Sequence, residues 1–338
     1  MPELSVIIPT LDEAGGLGGL LEQLAAEDAI DLEVVVADGG SVDQTVAIAE
    51  SGGARVVSSA AGRGRQLNRG REAARAPLLL FLHADSRLTE NGQVARAVAA
   101  FRAASEEPEL AGHFQLRFQG TREPMFTYYE GLSALGRAQT VNGDQGLLIR
   151  ASWLDALGGF DARLPFLEDQ ALGVRIFEAG AWVLLPGRLE TSARRFAVEG
   201  LVERSIHNAF TMAFFSFDYQ PFLTATPSRY PVQEQSRRLR MTPLFREVWS
   251  LIRREPRLLL PLARYVNRHA LWRAAFWLDV RRHGDAAVRR HPRLDVHDRW
   301  IAPWMYGRLG DALCILPMLV AFGVLWWRAS RREHALAV

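Results

Sequence analysis

Leu4-Ser5-Val6-Ile7-Ile8-Pro9 runs into Thr10-Leu11-Asp12-Glu13, Leu32-Glu33-Val34-Val35-Val36-Ala37 runs into Asp38, and Leu78-Leu79-Leu80-Phe81-Leu82 runs into His83-Ala84-Asp85. Three times an apolar stretch of strand length ends in a carboxylate, and a fourth acidic pair, Glu168-Asp169, follows much later. In an open parallel sheet the carboxyl ends of the strands line one crevice, where ligands bind. Carboxylates delivered repeatedly to that edge are poorly explained as solvated loop charge. They suit a site for a cation and a polyol or nucleotide.

Working outward, strand and helix patterns alternate from Leu4 to about Ala179, which predicts an α/β fold with a mostly parallel sheet. Helical periodicity covers roughly Gly16–Ala26, with Leu17, Leu20, Leu21 and Leu24 on one face. Ser41 or Asp43 can cap a helix running through Glu50. Arg55–Ser58 reads as a short strand, and a helix follows Gly62-Arg63-Gly64-Arg65 to about Ala74. Further along come helices near Gln93–Ala104 and Pro124–Gly136, and strands at His113–Phe118 and Gln145–Arg150. Ser152 is expected to cap a short helix, a helix runs from Asp169 to Glu178 with Gly180 stopping it, and Trp182–Leu185 is a last short strand. Asp218–Thr242 carries Pro221, Pro227 and Pro231 without a sustained period and reads as linker. Thr242-Pro243 looks like a helix start. The expected division is 1–205, a linker at 206–241, and a helical extension at 242–338.

Composition excludes several chemistries. All 40 basic residues are arginine, so Schiff-base chemistry, a cofactor lysine and a P-loop lysine are ruled out. The one cysteine, Cys314, rules out an internal disulfide or a multi-cysteine zinc site and makes a reducing compartment the easier reading. The net charge of +2 conceals an asymmetry: residues 1–200 hold 18 Arg against 27 acids, residues 201–338 hold 22 against 11. The acidic part fits a site for metal and sugar, and the basic part fits an anionic surface. Met1-Pro2-Glu3-Leu4 enters a strand at once, without the pattern of a signal peptide, so a cytoplasmic location is expected.

Each candidate motif also has an ordinary reading. Asp38-Gly39-Gly40-Ser41-Val42-Asp43-Gln44-Thr45 lets backbone approach a ligand and offers Asp38 to a base or ribose donor; it is equally a capped strand-to-helix turn. Gly62-Arg63-Gly64-Arg65-Gln66-Leu67-Asn68-Arg69-Gly70 is a natural phosphate cradle or a basic surface loop. His83 and Asp85, on one side of an extended segment, suit a sparsely ligated divalent cation, or Asp85 simply caps the next helix. Glu168-Asp169 at a helix start favours ionised carboxylates, as a general base requires, though helix starts favour acids for stability alone. Arg194-Arg195 could clamp a diphosphate or form a solvated turn.

In their order and spacing these motifs resemble family 2 glycosyltransferases of GT-A fold, over about residues 3–200. The resemblance runs through Ser5–Glu13, Asp38–Thr45, the Gly62–Asn68 loop, His83-Ala84-Asp85, Gly158-Gly159-Phe160-Asp161 and Glu168-Asp169. It is nearest a small bacterial branch reading LHAD at Leu82–Asp85, GDQG at Gly143–Gly146 and SARR at Ser192–Arg195. The wider family has DxD where His83-Ala84-Asp85 stands, so Asp85 is the better ligand. The resemblance implies an inverting transfer from a nucleotide-diphosphate sugar to a sugar or lipid-linked acceptor, with no nucleic-acid partner. It places Pro9, Thr10, Asp12, Glu13, Asp38, Gly39, Ser41 and Asn68 around the nucleotide, with Arg63 nearby. Asp85 and His83 then hold Mg²⁺ or Mn²⁺. Asp169 is the base, with Glu168 or Asp144 as alternatives, and Arg194 or Arg195 steadies the leaving phosphates.

Ala312–Trp327 is 16 residues without a charge, about 24 Å as a helix, with Pro317 expected to kink it. Arg308, Arg328, Arg331 and Arg332 bound it, and Trp300, Trp304, Trp326 and Trp327 lie near its ends. This predicts association with the cytoplasmic face of a membrane; a short span and a buried core helix are the alternatives. Two rival functions remain at this stage. A nucleotidylyltransferase would want Arg and Lys straight after the first strand, where Thr10-Leu11-Asp12-Glu13 stands. An inactive membrane scaffold would fit decay at His83, against which intact Asp85 and Asp169 argue.

Overall fold

The structure, a computed structural model, describes residues 1–104, 109–121, 123–137, 139–224 and 238–335. The chain divides into two compact units, Met1–Ser192 and Ala193–Val338. The division falls ahead of the boundary expected near 205, so Arg194 and Arg195 belong to the second unit.

The first unit is built on eight strands: β1 (Leu4–Thr10), β2 (Leu32–Asp38), β3 (Arg55–Ser58), β4 (Leu78–Phe81), β5 (Arg87–Leu88), β6 (Leu110–Phe118), β7 (Leu147–Arg150) and β8 (Ala181–Thr191). Its helices are α1 (Ala14–Ala25), α2 (Thr45–Ser51), α3 (Arg63–Ala73), α4 (Gln93–Ala104), α5 (Pro124–Ser133), α6 (Ala151–Ala156) and α7 (Glu168–Ala179). The strands form one sheet in the order β3-β2-β1-β4-β7-β6-β8-β5. It is parallel from β3 to β4, as the alternating pattern predicts, and becomes mixed where β7 enters antiparallel to β4 and β6.

Because successive strand residues face opposite ways, each apolar run feeds two cores. Val6 and Ile8 pack with Leu17, Leu20, Leu21 and Leu24 of α1 on one face. Ile7, Leu79 and Phe81 pack with Leu67, Leu154, Leu172 and Ile176 on the other. Covering both faces buries the central strands almost completely, so their carboxyl ends are held as a rigid edge. Close packing also accounts for Gly70: a Cβ there would lie 2.3 Å from Ile7 Cγ2, so α3 reaches the sheet only because this residue is glycine.

Several local expectations change. Strand β8 runs 11 residues rather than stopping at Leu185. Ser152 is not a cap: α6 starts at Ala151 without a side-chain cap. Gly180 ends α7 by close approach rather than by a left-handed backbone, since a Cβ there would sit 2.3 Å from the Glu109 carbonyl oxygen.

The second unit is helical: α8 (Arg194–Glu199), α9 (Leu201–Phe215), α10 (Gln220–Leu223), α11 (Met241–Arg254), α12 (Leu259–His283), α13 (Pro292–Val296), α14 (Ala302–Met305), α15 (Arg308–Leu313) and α16 (Ile315–Ala335). Within the described part of the stretch read as linker from residue 206, α9 continues through Phe215 without a proline, and Pro221 sits at the start of α10, where it is tolerated; Pro227 and Pro231 lie outside the described residues. Pro317 falls in the first turn of α16, where a missing N–H is harmless, and the apolar segment is interrupted just ahead of it, at Cys314 between α15 and α16.

Candidate functional site

The carboxyl ends of β1 and β2 are knitted into one loop system. Asp38 accepts from the Thr10 hydroxyl (3.0 Å), the Ser41 hydroxyl (2.5 Å) and the backbone N–H groups of Gly40 and Ser41 (2.9 Å each). Burial alone would raise the Asp38 carboxyl, but these hydrogen bonds, led by Ser41, hold it below its ordinary value. A carboxylate has about four acceptor positions, and here its own loop fills them. Asp38 therefore braces this loop, with no acceptor position left over for a base.

Asp12 adopts a left-handed backbone (φ 56°); its N–H donates to the Ser41 hydroxyl at 2.9 Å and its carboxylate accepts from Val42 N–H at 2.8 Å. Asp43 accepts from the Ala14 and Thr45 N–H groups, joining the starts of α1 and α2. Gln66, singled out by nothing in its spacing, donates to the carbonyls of Thr10 (2.6 Å) and Ala37 (3.2 Å) and lies under Gly39. Asn68 brackets the backbone of Phe160, donating to its carbonyl (2.8 Å) and accepting from its N–H (2.9 Å). Its amide is thus taken up by the Gly158-Gly159 turn.

Next to this loop system lies an acidic cluster drawn from five parts of the chain. His83 and Asp85 occupy a turn closed by the Ser86 N–H on the His83 carbonyl, not an extended segment, because the chain leaves β4 there to reach β5. His83 Nδ1 lies 2.9 Å from Asp144 Oδ1. Burial opposes the charged ring, but the hydrogen bond to Asp144 prevails, and the His83 pKa is raised. Burial, then the charge of Asp85, push the Glu13 carboxyl up.

At the start of α7, Asp169 Oδ2 accepts the Gly143 N–H at 2.6 Å, while Gln170 donates to the Val141 carbonyl at 2.7 Å. Two adjacent residues of α7 thereby fix the GDQG loop. Glu168 is fully buried, 3.5 Å from Arg63 Nε. Burial and the Asp169 charge raise its carboxyl against the pull of Arg63. The Arg63 guanidinium lies in the field of Glu168, Asp169, Asp144 and Asp85 and so borders this cluster.

The Gly143 amide is a contact that sequence reading missed, and the only signal was the glycine itself. A Cβ at Gly143 would lie 3.0 Å from His83 Nε2 and 3.3 Å from Asp169 Oδ2. Gly143→Ala is therefore expected to displace both side chains and lower turnover about tenfold or more, since small misplacements of reacting groups are costly. Melting should stay near wild type because the loop is partly exposed. Steady-state kinetics beside a thermal melt checks this, and unchanged turnover would show that the close contact has no catalytic weight.

Among the described residues no group of three or more His, Cys, Asp or Glu side chains is arranged to hold a metal ion. The donor set suits sparser ligation. In the neutral ring, with Nδ1–H of His83 donated to Asp144, Nε2 keeps a lone pair, the arrangement found in metal-ligating histidines. Asp85 adds one oxygen donor, and divalent cations accept such sets when phosphate and water complete the shell.

Arg194 and Arg195 open α8 in the second unit, where Arg195 pairs with buried Glu199 at 3.2 Å and Arg204 pairs with the same carboxylate at 2.8 Å.

Comparison with known proteins places this geometry. The family model for glycosyl transferase family 2 matches residues 5–153, from β1 through Trp153 of α6. The "PGL/p-HBAD biosynthesis glycosyltransferase" of Mycobacterium bovis is 32% identical over 192 residues, covering 54% of this chain and 72% of its own; its Mycobacterium tuberculosis counterpart gives the same figures. Among solved structures, TarS of S. aureus gives a TM-score of 0.49 at 17% identity over 87% of this chain and 55% of that one. The mannosyltransferase PcManGT from Pyrobaculum calidifontis, in complex with GDP-Man and Mn²⁺, gives 0.47 at 17% identity over 96% and 87%. The family assignment rests on the family model and the mycobacterial relatives. The chain is a glycosyltransferase, and it belongs to glycosyltransferase family 2.

Proposed function

We propose that the protein transfers a sugar from a nucleoside-diphosphate sugar to an acceptor hydroxyl in a single metal-dependent displacement that inverts the anomeric centre. The observation that carries this reading is Asp169: an acid at a helix start, held by the Gly143 N–H at 2.6 Å, beside the His83–Asp144 pair and within the field of Arg63. A carboxylate at a helix N-terminus, steadied by a backbone donor, is placed to take a proton from an attacking hydroxyl. The loops of Thr10, Asp12 and Asp38 to Ser41 form the nucleotide side of the pocket. Asp85, with His83 Nε2, would hold Mg²⁺ or Mn²⁺, which supplies charge neutralisation of the departing diphosphate.

The acceptor in this reading is lipid-linked and met at the cytoplasmic face of a membrane. Support comes from the basic balance of residues 201–338, 22 Arg against 11 acids, since the cytoplasmic leaflet is the anionic one. The apolar segment Arg308–His334 adds to it: it is long enough to meet a bilayer, and only 11% of its most apolar window is buried.

Nucleotide preference is read by a thermal-shift panel of nucleoside diphosphates with and without Mn²⁺. A ligand that binds only the folded state raises the melting temperature, by about 2.7 kcal/mol of added stability at a hundredfold excess over Kd. One base is expected to stand out, and only with the metal present. Equal shifts for all bases, or shifts indifferent to Mn²⁺, would remove the donor reading.

A further inference from the structure

The apolar segment at the end of the chain is fixed along its length to the other helices of its unit. Asp311 of α15 is buried and accepts from Arg264 Nε (3.0 Å) and Asn267 Nδ2 (3.0 Å) of α12. Phe322 and Trp326 of α16 pack on Phe245 of α11, with ring centroids 5.1 and 6.4 Å away. At the far end, Glu333 Oε1 accepts the N–H groups of Met241 (2.6 Å) and Thr242 (3.0 Å). It caps the N-terminus of α11, which has no cap of its own, and a carboxylate there also meets the positive end of the helix dipole.

The other side of the segment is bare. Leu309, Leu313, Leu316, Val320, Val324 and Trp327 recur every three or four residues and are all exposed, Leu309 at 75% and Leu316 at 70%. At that spacing they form one stripe. Arginine lies at its ends: Arg331 sits over the Trp327 ring at 4.9 Å, and Arg299 over Trp300, itself 62% exposed, at 5.3 Å. Tryptophan with arginine is the composition of a headgroup boundary.

At 21 residues, α16 is about 31 Å long, enough to cross a hydrocarbon core of about 30 Å. Crossing beside α11 would carry the exposed Arg246, Arg253 and Arg254 of that helix into lipid, and crossing alone would strip α11 of its cap and Phe245 of its ring partners. Lying flat requires neither.

Building on the membrane reading given under Proposed function, we propose that α15 and α16 lie in the plane of an anionic lipid surface, exposed stripe inward, as a one-sided anchor that leaves both ends of α16 on the face where α11 and α12 stand. Basic ends complement anionic headgroups and the stripe supplies the apolar contact.

The test adds the full chain, carrying Cys314→Ala and His334→Cys, to sealed preformed vesicles of phosphatidylglycerol and phosphatidylcholine. After a high-salt wash the bound protein meets a membrane-impermeant maleimide outside the vesicles. The expected result is salt-resistant binding with position 334 fully labelled, and at least tenfold weaker binding once Leu316→Glu and Val320→Glu are added. These two positions are exposed, so the fold should stand, which a thermal melt verifies. Binding with position 334 protected until detergent is added means a crossing helix and overturns the in-plane anchor alone. Failure to bind vesicles overturns the membrane reading itself; sedimentation as a dimer would then assign the stripe to a second copy of the chain.

Discussion

Asp169→Asn is expected to lower turnover by about a hundredfold to ten-thousandfold, the range general-base groups contribute, while nucleoside-diphosphate binding stays near wild type. The substitution is close to isosteric, and the asparagine carbonyl can still accept the Gly143 N–H that now reaches Asp169 at 2.6 Å. The GDQG loop should therefore keep its place, further held by Gln170 on the Val141 carbonyl. What the amide lacks is basicity. Measuring turnover and nucleotide affinity on one preparation separates the two effects. Should the variant keep most of its turnover, the base lies elsewhere, with Glu168 and Asp144 the next to test. Of these Glu168 is the weaker choice, since its complete burial leaves an acceptor hydroxyl no access to it.

The second large effect is expected from Asp85→Ala. The wild-type protein should melt higher with nucleoside diphosphate plus Mn²⁺ than with nucleotide alone, and the variant should lose that difference. Without ligand, the variant should melt at or above the wild-type temperature. Asp85 is one of the charges that push the Glu13 carboxyl up, so its removal relieves like-charge repulsion at the strand edge. The opposite signs of the two effects make the result hard to confuse with misfolding. An undiminished Mn²⁺ increment would place the metal on other ligands, His83 Nε2 being the first to examine.

The strands that set the site were legible because both faces of the central sheet are covered, which makes β1, β2 and β4 continuous apolar runs rather than alternating ones. Strand β8 was not, for a local reason. Pro186 and Gly187 look like breakers, and Gly187 has φ 89°, but they lie where the pairing of β6 with β8 shifts register between His113 and Gln115. A bulge tolerates residues that regular pairing excludes.

The same divide runs through the site. Its carboxylates were readable as residue types at strand ends and a helix start. What each one does was not, because the deciding partners are backbone groups remote in sequence: the Gly143 N–H for Asp169, and the Gly40 and Ser41 N–H groups for Asp38. A sequence displays a glycine but not where its amide points. Asn68 looked like part of a phosphate loop for the same reason; its real partner, Phe160, lies 92 residues on.

The cap that Glu333 places on α11 also sets an order of events during synthesis. Met241 and Glu333 are 92 positions apart, so α11 is made long before the carboxylate that completes it. Contacts this remote are slow to form because the intervening loop must close first. The second unit can therefore reach its final arrangement only once Glu333 has left the ribosome, whereas the first unit, with its sheet complete at Thr191, can fold before that point.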